Sequence, residues 1–134
     1  DKKIGNFGIG GSFSFYWGHH MSTIEGGMIT TNDRKFYSTC LLKRSHGLAR
    51  ELPEKEQQYY KKKYSKNDFK FLFLSSRYNL RSTEINAFLG IIMLKKINQW
   101  IKIRNQNFKY FINILNKFKG EFLTSYDKGM SSFI

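Results

Sequence analysis

Two short runs rich in aromatic and β-branched residues, Ser12–Tyr16 and Gly27–Thr31, are bounded by glycine and polar clusters and predict a pair of β-strands. Between them the chain turns through Gly18, two histidines, Ser22, Thr23, Glu25 and Gly26, a polar turn on a strand scaffold. After Asp33 the spacing changes. Phe36, Cys40, Leu41 and Leu42 predict a helix from about Arg34 to His46, with Asp33 as its N-cap and Gly47 as its stop. Leu48–Lys70 is polar and charged and holds the only proline, Pro53, so an irregular connection is predicted. Phe71–Leu74 reads as a short strand or buried extended segment. Beyond the Arg77–Arg81 turn, Ser82 or Thr83 caps a long helix with Glu84 in its first turn. Its apolar residues, from Ile85, Phe88, Leu89, Ile92, Ile97, Trp100 and Ile101 to Phe108, Phe111, Ile112 and Leu115, recur at helical spacing and read as a core stripe ending near Gly120. A coiled coil is the second reading of that stripe, but the heptad is not sustained.

Composition narrows the class. Apolar residues make up 40% of the 134, enough for a core, and no apolar run approaches the roughly 20 residues that span a bilayer. No basic-then-apolar leader opens the sequence, and the single cysteine, Cys40, permits no internal disulfide and reads as packing. A soluble, cytoplasmic protein with no membrane partner is the expectation. The net charge of +13 raises a different class. Lys61, Lys62, Lys63, Lys66 and Lys70, interleaved with Tyr59, Tyr60, Tyr64, Phe69 and Phe71, could follow phosphates and stack bases. No nucleic-acid-binding motif accompanies them, and a solvated face in a lysine-rich chain is the favoured reading, without a nucleic-acid partner.

The candidate chemistry lies at the polar turn. His19 and His20 are adjacent, and imidazole is the side chain whose ordinary pKa lies near neutrality, suited to taking and returning a proton. A shared metal is disfavoured: neighbouring residues in extended chain point to opposite sides, His46 is the only other histidine, and one cysteine builds no Cys/His zinc set. No metal is expected. On residue types alone, a packed histidine pair and an acid/base pair both remain open.

Spaced motifs then add a resemblance. Ser14 and Phe15, followed by the turn and the triplet Glu25, Gly26 and Gly27, resemble the S-F-x-x-x-K … E-G-G segment of the DegT/StrS-type sugar aminotransferases, pyridoxal-phosphate enzymes acting on nucleotide-linked keto sugars. Thr31-Asn32-Asp33, Arg44-Ser45-His46-Gly47, Tyr78-Asn79-Leu80-Arg81 and Thr83-Glu84-Ile85-Asn86-Ala87 match later family motifs in order. His19 stands where the family has its Schiff-base lysine. That departure is similar to the family's 3-dehydratase branch.

The resemblance implies an α/β chain carrying part of a type I pyridoxal-phosphate transferase fold, like aspartate aminotransferase. Residues 1–75 would close the cofactor-binding large domain, and 76–134 would supply the long helix and the start of the small domain. It implies an incomplete piece, inactive alone, because the family's upstream phosphate loop and ring-stacking residues have no room before Asp1. By the same resemblance His19 is the catalytic base, Ser14 bonds the cofactor phosphate, and Asn79, with Arg81, reaches a partner's cofactor across a homodimer. His20 is a substrate contact or orients its neighbour, and Glu25 fixes the turn while Gly26 and Gly27 give it backbone freedom. The cofactor would be pyridoxal or pyridoxamine 5′-phosphate, held without a covalent tether. The reaction would remove the carbon-3 hydroxyl of a nucleotide-linked 4-keto-6-deoxy sugar, with glutamate regenerating the amine. The related branch that uses an iron–sulfur cluster needs cysteines this chain lacks. The other readings are an aminotransferase relative that has lost its lysine and its activity, and a basic nucleic-acid-binding module.

Overall fold

The computed structural model describes residues 2–65, 68–118, 120–122 and 124. Among these described residues two strands, β1 (Gly11–Ser14) and β2 (Gly27–Thr30), form a two-stranded sheet, and three helices follow, α1 (Arg34–Arg44), α2 (Glu54–Lys63) and α3 (Glu84–Leu115). The chain divides into two compact units: residues 1–13 with 27–83, and residues 14–26 with 84–134.

In the first unit, α1 starts as its sequence dictates. The Asp33 carboxylate accepts from the Phe36 N–H at 2.7 Å, and the Thr31 hydroxyl oxygen accepts from the Asp33 N–H at 3.0 Å. Lys43 and Arg44 complement the carbonyl end of the helix. The chain leaves α1 through two consecutive residues in the left-handed region, His46 (φ 57) and Gly47 (φ 80), and the Gly47 N–H donates to the Leu42 carbonyl at 2.8 Å. Side chains are excluded at Gly47 as well, because a Cβ there would strike the Ser75 carbonyl. Immediately afterwards come the buried apolar residues Leu48, Ala49 and Leu52, which carry a 3₁₀ turn, Ala49–Glu51.

The segment expected to be irregular is instead a helix for ten residues. Pro53, with φ already preset, stands at the N-cap of α2, Glu54 and Glu56 occupy the first turn, and Lys61, Lys62 and Lys63 the last. That charge order suits the helix dipole at both ends, a signal that a search for apolar periodicity passes over. Gln57 Nε2 pins the entry by donating to the Arg50 carbonyl at 2.9 Å and the Leu52 carbonyl at 2.8 Å. Ser38, buried on α1, donates to Glu56 Oε1 at 2.8 Å. The expected strand at Phe71–Leu74 is also replaced. A 3₁₀ turn, Phe69–Phe71, leads into a single antiparallel bridge between Leu48 and Phe73. Paired with one residue only, that segment never becomes a ladder.

In the second unit α3 runs unbroken for 32 residues and ends at Leu115, five residues before the glycine expected to stop it. Its inner face is not the expected stripe. Leu89, Ile97, Trp100, Phe108 and Ile112 are at least half-buried, but so are Asn86, Met93 and Arg104, and Gly90 is buried outright. Ile85 (71% exposed) and Phe88 (63%) lie outside. The helix is apolar on two sides, and spacing alone cannot say which side meets the rest of the unit. Among the described residues, no helix is long and apolar enough to cross a membrane, and no group of three or more His, Cys, Asp or Glu could hold a metal ion.

Candidate functional site

The histidine turn grows from the end of β1 and closes on itself at Phe15. The Phe15 N–H donates to the Gly26 carbonyl, and the Phe15 carbonyl accepts from the Thr23 N–H, both at 2.8 Å. Within that neck, Tyr16–His19 forms a tight turn, the His19 N–H donating to the Tyr16 carbonyl at 3.0 Å. The His19 imidazole packs edge-on to the Tyr16 ring, with centroids 6.1 Å apart. The backbone turn sets where the His19 side chain starts, the Tyr16 ring borders the imidazole on one side, and the residue's half-buried position leaves it reachable.

Beside it lies a recess of about 260 Å³ in the same unit, bordered by His19, His20, Trp17, Met93, Trp100 and Arg104. Two histidines, two indoles and a guanidinium therefore converge there. The recess offers proton-transfer groups, flat apolar surfaces and one fixed positive charge. His20 faces this recess together with His19. Trp100 belonged to the expected core stripe, whereas Trp17 and Arg104 carried no signal of site membership. A lone arginine on an apolar helix face was the available hint.

Ser14 sits at the base of the turn. Its Oγ accepts from the Tyr16 N–H at 3.3 Å, a role that leaves the hydroxyl hydrogen for donation. That is the donor a phosphate oxygen needs. In the EGG triplet Glu25 holds the turn through its backbone, its carbonyl accepting from the Thr23 hydroxyl at 2.9 Å, while the residue itself is exposed. Neither Gly26 nor Gly27 adopts positive φ; the residue that does is Ile24, at φ 71. Gly26 is required for space, since a Cβ would collide with Thr23 Oγ1.

Asn79 and Arg81 belong to the other unit. There, the strand-like segment around Asn79 is held along the end of α1: the Tyr78 and Leu80 N–H groups donate to the Lys43 and Arg44 carbonyls at 3.1 and 2.8 Å, and the Tyr78 carbonyl accepts from the His46 N–H at 2.8 Å. Arg81 Nε donates to Asn79 Oδ1 at 3.4 Å. This leaves the amide nitrogen of Asn79 and most of the exposed guanidinium pointing to donor-only chemistry, which suits an anion. Ser14 and His19 thus come together in one unit, Asn79 and Arg81 in the other. His46 serves through its backbone.

The lysine patch is organised locally. Lys61 Nζ lies over the Phe69 ring at 4.8 Å, Lys63 Nζ over Tyr64 and Tyr59 at 5.5 and 5.8 Å, and Tyr60 stacks on Tyr64. Lys66 lies outside the described residues.

A sheet-edge histidine turn followed by a capped helix and a long C-terminal helix defines an α/β chain that carries part of the type I pyridoxal-phosphate transferase fold. The chain belongs to the DegT/DnrJ/EryC1/StrS aminotransferase family, whose model matches residues 1–133. It is 39% identical over 119 residues to the GDP-4-keto-6-deoxy-D-mannose 3-dehydratase of Escherichia coli O55:H7, covering 89% of this chain and 30% of that one. The solved structure of the E. coli dehydratase with bound hydrated PLP superimposes with a TM-score of 0.71 at 36% identity, over 90% of this chain and 30% of the other. A structure of GDP-4-keto-6-deoxymannose-3-dehydratase with a trapped PLP-glutamate geminal diamine matches with the same TM-score at 34% identity, over 90% and 31%. The chain spans about 30% of the length of these relatives.

Proposed function

We propose that the complete polypeptide carrying this chain is a pyridoxamine-phosphate-dependent sugar 3-dehydratase, removing the carbon-3 hydroxyl of a GDP-linked 4-keto-6-deoxyhexose, and that His19 is its base. The observation that carries this is an imidazole held in a hydrogen-bonded turn, with no lysine anywhere between Ser14 and Gly27. When bound, the cofactor would supply an amine that condenses with the sugar's keto group and a conjugated ring through which the electron pair of the broken methylene C–H bond passes to the sugar to expel the carbon-3 hydroxyl. His19 takes the proton from the cofactor's methylene carbon and, lacking a nucleophilic amine, holds no covalent tether. Ser14 donates its hydroxyl hydrogen to the cofactor phosphate. Asn79 and Arg81 donate to the phosphate in a second copy, which makes the working unit a homodimer. His20 meets the sugar at the mouth of the recess. Glutamate restores the amine, in keeping with the adduct trapped in the similar dehydratase.

In this reading residues 1–75 close the larger domain and 76–134 lead into the smaller one, the enzyme works in the cytoplasm, and its product enters deoxysugar assembly for lipopolysaccharide O-antigen. The chain alone lacks most of the length of its relatives and has no turnover of its own. The basic-module alternative is weakened by the ring contacts that already engage Lys61 and Lys63.

The test uses the complete polypeptide. His19→Ala should lower turnover of the GDP-linked keto sugar by about 10²–10⁴ while pyridoxamine phosphate still binds, the range for loss of a general base. His19→Lys should produce borohydride-trappable cofactor. Full turnover by His19→Ala would overturn the assignment.

A further inference from the structure

The turn that carries His19 is secured from outside by a side chain with no assigned role. Asn86, in the first turn of α3, directs its Nδ2 at two carbonyl oxygens of the loop, Thr23 at 2.7 Å and Glu25 at 3.1 Å. One amide NH₂ has two hydrogens, and here two acceptors face it. Between those carbonyls stands Ile24 at φ 71, a conformation that a β-branched residue holds only where its surroundings enforce it. The local bond from the Ile24 N–H to Ser22 Oγ, 3.1 Å, is exposed and joins two loop residues, so it cannot anchor the loop to anything else.

A second contact lies one helical turn further on. Thr23 is 5% exposed, and its methyl rests where Gly90 has no side chain: a Cβ on Gly90 would come within 3.2 Å of Thr23 Cγ2. Asn86 and Gly90 are four residues apart and share one face of α3. The strained bend thus has a polar clasp and an apolar seat side by side, three residues downstream of His20.

We propose that Asn86 is the positioning residue of the histidine turn: its two N–H groups hold the strained Thr23–Glu25 bend against α3 and thereby fix the direction of the His19 imidazole. The inference rests on the catalytic reading of His19 given above. Without the clasp, Ile24 relaxes to the extended region, the Thr23–Phe15 bond loosens, and the imidazole loses its place.

Hydrogen exchange on the cofactor-free complete polypeptide tests this without any turnover. Asn86→Ala should reduce protection of the Thr23 and His19 amides by about tenfold or more, with α1 amides unchanged. Adding Ile24→Gly, which removes the strain Asn86 opposes, should restore most of that protection. With cofactor and sugar present, Asn86→Ala should lower kcat by about 10- to 100-fold and leave KM within about twofold, as expected of misplacement near 1 Å. Asn86→Ser, a polar residue too short to reach both carbonyls, carries the same expectations should Asn86→Ala not fold. Unchanged loop protection, or a loss that Ile24→Gly does not repair, overturns the proposal. A dead His19→Ala beside a fully active, fully protected Asn86→Ala sinks the positioning role alone, whereas an active His19→Ala sinks the catalytic reading instead.

Discussion

Replacing Gly90 separates a close-packed seat from an ordinary helix position. Glycine inside a helix costs about 1 kcal/mol relative to alanine, yet Gly90 is buried in the second turn of α3. An alanine Cβ there would lie 3.2 Å from Thr23 Cγ2 and 3.7 Å from Met21 Cε. Carbon pairs are at ease at roughly 3.5–4.0 Å, so the Thr23 methyl must retreat by a few tenths of an ångström. The propensity gain and the crowding offset each other, and Gly90→Ala should leave stability within about 0.5 kcal/mol of the parent. Leucine sends further carbons into the same space, where overpacking costs about 1–3 kcal/mol. The helix backbone is stiff and the loop is held by a few bonds, so the displacement falls on Met21–Thr23 and hence on the histidines. Gly90→Leu should therefore lower the local opening free energy of the Thr23 amide by that amount, read by native-state hydrogen exchange, and depress turnover more than overall stability. If the leucine variant matches the parent in both Thr23 protection and turnover, the loop does not rest on Gly90.

Two further outcomes concern the unit that holds α1 and α2. Asp33→Ala removes the acceptor from the Phe36 N–H and should cost about 1 kcal/mol, seen as a lower urea midpoint with an unchanged slope; an unshifted midpoint would show that the cap is redundant. Gln57→Leu leaves the Arg50 and Leu52 carbonyls without their shared donor and should cost about 1–3 kcal/mol, whereas Arg34→Ala, which loses only an exposed pair with Glu56, should cost less than about 1 kcal/mol. Equal effects of the two substitutions would refute this ranking.

The cap at Asp33 and the existence of α3 were legible in the sequence because each depends on interactions within a few residues, and both strands because their short aromatic and β-branched runs are bounded by glycine and polar clusters and have each other as partners. The helix α2 was equally local, but its signal is charge order and a leading proline rather than apolar period, and polarity alone points to irregular chain there. The Phe71–Leu74 segment failed for another reason: a strand needs a partner along its length, and Leu48–Phe73 supplies a single bridge.

For the site, the order of motifs identified His19, Ser14, Asn79 and Arg81 as candidates and, through the missing lysine, the kind of chemistry to expect. That information comes from the resemblance those motifs carry; residue types alone left a packed histidine pair equally open. What they could not supply is the support. Asn86 and Arg104 are polar residues on a helix with two apolar faces, and only packing selects the face that meets the histidine turn. Ile24 gives no warning of its left-handed backbone, and Gly26 is needed for the room it leaves Thr23. Local chemistry is written in order along the chain; the distances between residues sixty positions apart exist only once the chain has folded.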